Sequence, residues 1–116
     1  MEEIKLSWTY NEFKAYLLIY AAESNQVITD EEKEFIEDQF DSVLIKTMQK
    51  EFNKDNDYER IQKIMAYIEQ NNLSKKDLES LLDDIKAVYL SDGKYDSTEQ
   101  AVFQVLEKLF KMENPQ

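Results

Sequence analysis

Two stretches decide the reading: Ala22-Glu23-Ser24-Asn25-Gln26-Val27-Ile28-Thr29-Asp30-Glu31-Glu32 and Tyr89-Leu90-Ser91-Asp92-Gly93-Lys94-Tyr95-Asp96-Ser97-Thr98-Glu99. They align without gaps at an offset of 67 residues (92 − 25), pairing Ser24 with Ser91, Asn25 with Asp92, Ile28 with Tyr95, Thr29 with Asp96 and Glu32 with Glu99. The flanks agree as well: Leu18 matches Ile85, Phe35 matches Val102, and Ile36 matches Phe103. Each stretch reads as the end of one helix, a short polar turn and the capped start of the next. A Thr or Asp followed three residues on by Glu is a capping box, in which each residue bonds the other's backbone N–H.

Outward from these turns, apolar residues recur at helical spacing and nowhere alternate with the period of a strand. A first helix is expected from about Tyr10 to Glu23, capped by Thr9 with Glu12 as box partner, with Phe13, Leu17, Tyr20 and Ala21 on one face. A second follows Thr29 and buries Phe35 and Ile36; a third runs from about Asp41 to Asn53 with Leu44, Met48 and Phe52. A fourth begins near Asp57, carries Ile61, Ile64, Met65 and Ile68, and stops at Asn71-Asn72. Ser74, with Asp77 as box partner, opens a fifth with Leu78, Leu81, Leu82, Ile85 and Val88. Asp96 opens a sixth with Val102, Phe103, Leu106, Leu109 and Phe110. Helices joined by turns this short pack as neighbours. The expected class is therefore all-α: one domain over residues 1–116, a bundle of about six helices containing two pseudo-repeated hairpins, with 113–116 as a frayed tail. The expected core is Phe13, Leu17, Phe35, Ile36, Met48, Ile61, Ile68, Leu82, Ile85, Phe103, Leu106 and Phe110.

Composition narrows the chemistry. The 116 residues contain no Cys and no His, so disulfides, thiol chemistry, Cys/His zinc sites and imidazole bases are all excluded. A single glycine, Gly93, leaves no room for a phosphate-binding glycine loop or a nucleophile elbow. The longest apolar run, Ala15 to Ala22, is far short of the roughly 20 residues a membrane helix needs. Met1-Glu2-Glu3 has no signal-peptide character, and a cytoplasmic location with no membrane partner is the expectation.

Charge is concentrated. With 25 acids against 14 bases the net charge is −11, which repels phosphates and argues against a nucleic-acid partner. From Glu23 to Asp41 there are eight acids (Glu23, Asp30, Glu31, Glu32, Glu34, Glu37, Asp38 and Asp41) and one base, Lys33, so this segment alone holds −7. It reads as a solvated helix face or as an acidic patch for a basic protein partner or a cation.

The two turns also have the back half of an EF-hand: Gly93, Tyr95, Asp96 and Glu99 fall at loop positions 6, 8, 9 and 12. Position 1 would be Val88 and position 3 Leu90, so a high-affinity calcium loop is not expected. Local structure accounts for the same residues, with Thr29 and Asp96 as N-caps and Glu32 and Glu99 as their box partners.

The pattern of a helix end, Asp-Gly, an apolar residue, a cap and Glu, as in Ser91-Asp92-Gly93-Lys94-Tyr95-Asp96-Ser97-Thr98-Glu99, resembles the TerB-like family associated with bacterial tellurite resistance. The first turn has Asn25-Gln26 where that family shows Asp-Gly. The resemblance implies an all-helical bacterial domain of stress or metal response, without enzymatic activity, whose metal-binding positions would be Asp92, Glu99, Asn25 and Glu32. The expected function is a non-enzymatic binding or adaptor domain that needs no cofactor and presents an acidic surface to a protein partner. The alternatives are a stress protein holding a divalent cation loosely, and a carboxylate-only, Mg²⁺-dependent hydrolase.

Overall fold

The computed structural model describes residues 6–24, 29–91, 93 and 95–113, without the side chains of 112 and 113. Six helices follow in order: α1 (Tyr10–Glu23), α2 (Asp30–Glu37), α3 (Ser42–Lys54), α4 (Asp57–Gln70), α5 (Lys75–Leu90) and α6 (Ser97–Glu113). No strand occurs among the described residues. Helix α6 includes Glu113, the first residue of the expected frayed tail; 114–116 lie outside the described residues.

The helix starts are set by local hydrogen bonds. Thr9, Thr29, Asn56 and Ser74 each close a full capping box with Glu12, Glu32, Glu59 and Asp77. Helix α3 starts at Asp41 without a side-chain cap bond. Helix α4 ends in a Schellman turn: Asn72 takes a φ of 49°, Leu73 N–H donates to Ile68 C=O at 3.2 Å, and Asn72 N–H donates to Glu69 C=O at 3.3 Å.

Helix α1 is the axis of the molecule. Every residue from Ala15 to Ala22 is buried, and α1 packs against α2, α3, α4 and α5. This corrects the expectation of one buried face on α1. A helix that is apolar all round belongs inside a bundle, where neighbours cover each side. Helix α6 completes the bundle against α4 and α5, and α2 also touches α5. Trp8 folds back onto α1, its ring 4.7 Å from that of Tyr16, while Phe13 stacks on Tyr67 of α4 at 4.1 Å.

Of the expected core, Phe13, Leu17, Ile36, Met48, Ile68, Leu82, Ile85, Leu106 and Phe110 are buried. Phe35, Ile61 and Phe103 are half-buried and pack against it from the edge. Tyr16 and Tyr89 are the largest fully buried side chains.

Candidate functional site: a buried carboxyl pair

Thr29 and Glu32 start α2. Thr29 N–H and Oγ1–H donate to Glu32 Oε1 at 3.1 and 3.2 Å, and Glu32 N–H returns a bond to Thr29 Oγ1 at 3.1 Å. Asp96 and Glu99 start α6 in the same manner: Asp96 N–H donates to Glu99 Oε1 at 3.1 Å and Glu99 N–H to Asp96 Oδ1 at 2.9 Å. The helix N-terminal dipole favours a carboxylate in each place.

A capping glutamate ordinarily sits at the surface. Here Glu32 is 0% and Glu99 1% exposed, and the two are hydrogen-bonded carboxyl to carboxyl. Burial, then the Glu32 carboxyl, pushes Glu99 from the usual 4.5 up to about 7, against the lowering effect of the Asp96 N–H. Two ionised carboxylates have no proton between them, and Glu32 Oε2 is a buried oxygen with no donor. A proton on Glu99 supplies one, so near neutral pH the pair carries one charge more readily than two.

Tyr89 of α5 and the end of α1 enclose the pair. The Tyr89 hydroxyl donates to Ala21 C=O at 2.7 Å. Its ionisation is pushed far up by burial and then by the negative charges of Glu99 and Glu32. Tyr95 stacks its half-buried ring on Tyr89 at 6.1 Å, and Lys86 Nζ lies 5.9 Å from the Tyr95 ring centre.

Of the four expected metal positions, Glu32 and Glu99 come together, while Asn25 and Asp92 lie outside the described residues, as does Ile28. Gly93 has a φ of 80° and donates its N–H to Leu90 C=O at 2.9 Å, as a turn glycine does. With each Oε1 committed to a cap, the pair falls well short of the six to eight oxygens calcium takes. Among the described residues no group of three or more Asp, Glu, His or Cys is placed to hold a metal ion.

A second polar cluster went unread in the sequence. Asp55, 9% exposed, accepts from the Tyr16 hydroxyl at 2.7 Å and from Lys63 Nζ at 2.8 Å; the same Nζ reaches Glu51 at 2.7 Å. Burial pulls the Lys63 amine down, but its bonds to Asp55 and Glu51 outweigh that and raise it. Arg60 donates to Phe52 C=O at 2.9 Å and lies 3.7 Å over the Phe52 ring. Asp55-Asn56-Asp57 is a D-x-D spacing, the available signal, but Asn56 caps α4 and Asp55 ties α1 to α4.

The acids of 23–41 divide. Glu32 is buried, whereas Glu23, Asp30, Glu31, Glu34, Glu37, Asp38 and Asp41 are exposed, and no cation among the described residues pairs with them within 4.0 Å. No described helix is long and apolar enough to cross a membrane. Comparison with protein-family models, curated proteins and solved structures finds no match.

Proposed function

We propose that this chain is a non-enzymatic, TerB-like binding domain of the bacterial cytoplasm that engages a protein partner through its acidic surface. The observation that carries this reading is the set of seven exposed acids between Glu23 and Asp41 that pair with no cation among the described residues. A field of one sign attracts a basic surface and raises the rate of encounter. The pseudo-repeat supports the resemblance, since both aligned Glu residues cap helices and meet inside the bundle. The test is retention of protein from a bacterial lysate by the immobilised chain and by a variant carrying Asp30→Asn, Glu31→Gln, Glu34→Gln and Asp38→Asn. A protein held by the first, lost by the second and released by salt supports the reading; equal retention refutes it.

The second reading is a loosely held divalent cation, favoured by the meeting of two buried carboxyl groups, Glu32 and Glu99. Asn25 and Asp92 would have to complete its coordination. Calorimetric titration with Ca²⁺, Mg²⁺, Mn²⁺ and Zn²⁺ tests it: heat at micromolar metal that Glu32→Gln abolishes supports a cation, and no heat removes it.

A further inference from the structure

A groove of about 210 Å³ opens between α1, α2 and α3. Its floor is aliphatic: Ile19 and Ile36, each 4% exposed, and the half-buried Ile45. Its rim is acidic and polar. Glu23 stands at one side, where it accepts from Gln49 Nε2 at 2.7 Å, and Glu37 stands on α2. Lys33 is the one base lining it, on the helix that carries most of the exposed acids. The volume is below the roughly 300 Å³ at which small-molecule sites begin, which suits protruding side chains better than a cofactor. A second groove, of about 290 Å³ between α1, α4 and α6, has Asp57 as its single acid and lies outside the 23–41 field.

We infer that the α1–α2–α3 groove is the docking point of the acidic surface, and that its occupant is a basic amphipathic segment that seats aliphatic side chains on Ile19, Ile36 and Ile45 and sets lysines or arginines against the acids around it. The inference rests on the acidic-surface reading above and adds the place and the partner's chemistry. Charge complementarity selects the occupant. Glu23 and Glu37 outnumber Lys33 on the rim, so a neutral or acidic apolar helix would desolvate a net negative charge, whereas a basic one pairs it. An amphipathic helix laid in a groove anchors by aliphatic side chains one turn apart.

The test uses the full chain, ¹⁵N-labelled and with its isoleucine δ-methyl and valine methyl groups ¹³C-labelled, and a synthetic helical peptide of leucine and lysine, about 14 residues long. A control peptide keeps every lysine and replaces leucine by serine. The expected result is movement of the Ile19, Ile36 and Ile45 signals with Ile64 and Ile85 unmoved, and binding of the leucine peptide at least about tenfold tighter than the control. Glu37→Lys, on an exposed rim position, is expected to weaken the leucine peptide by about tenfold at low salt with the Ile85 signal unchanged. Equal binding of the two peptides, with shifts in the Asp30–Asp41 amides alone, overturns the groove and leaves the acidic-surface reading standing. Binding that moves Val102 and Val105 instead of the three isoleucines also overturns it. Absence of binding by either peptide sinks both.

Discussion

Glu32 and Glu99 stand 67 positions apart in the chain and hydrogen-bond to each other through their carboxyl groups, both screened from solvent. Each also holds the N-terminus of its own helix, so one contact joins the starts of α2 and α6 beneath α5.

The pair makes stability depend on pH in a direction opposite to that of ordinary carboxylates. Glu99 is raised from 4.5 to about 7, so between these values the folded state keeps a proton that the unfolded chain has released. Fewer protons bound by the unfolded state means that stability falls as pH rises through this window. The expected loss between pH 5 and 8 is of the order of 2 kcal/mol. Urea unfolding at stepped pH measures it. Because lower pH also relieves the repulsion of a chain at −11, Glu99→Gln provides the control. It keeps a carbonyl for the Asp96 N–H and gives Glu32 an uncharged neighbour, so its pH slope should be distinctly shallower. A simple cap would leave this substitution neutral throughout; the buried pair makes it stabilising at pH 8.

Tyr89→Phe is expected to cost about 1–2 kcal/mol, because it leaves the Ala21 carbonyl without its buried donor while preserving the ring. Thermal unfolding monitored by circular dichroism at 222 nm reports the change, and an unaltered melting temperature would refute it.

Asp55→Ala should destabilise by about 2 kcal/mol, since it leaves the buried Tyr16 hydroxyl without its acceptor and Lys63 with Glu51 alone. Tyr16→Phe should cost about 1 kcal/mol alone and close to nothing in the Asp55→Ala background, as shared partners are not additive. A double-mutant cycle by chemical denaturation tests the coupling; additive costs would deny that the two act together.

Thr29→Ala should cost more than Thr9→Ala. Both remove an N-cap, each worth about 1 kcal/mol. The Thr29 hydroxyl also donates to the buried Glu32 Oε1, a bond alanine removes, whereas the Thr9–Glu12 box is open to water. Equal melting temperatures for the two variants would contradict the burial of the Glu32 carboxyl.

The helix order, the boxes at Thr9, Thr29, Ser74 and Asp96 and the stop at Asn71-Asn72 were legible in the sequence because each is a bond between residues a few positions apart. Such bonds form or fail within one turn, whatever surrounds them. The same logic named Glu32 and Glu99 as caps, while their candidacy as metal positions came from the resemblance. Their burial and mutual contact depended on how α2 and α6 converge on α5, which no spacing within either helix encodes. Ala15 to Ala22 had the same ambiguity: an apolar run shows that a helix will be covered, while the number of neighbours covering it follows from the packing of the whole bundle. Asp55 lies between α3 and α4 with no local side-chain bond to mark it; only the approach of Tyr16 and Lys63, 39 positions before it and 8 after, made it a buried acceptor. Caps follow from covalent neighbours, and buried charge from neighbours that folding alone brings near.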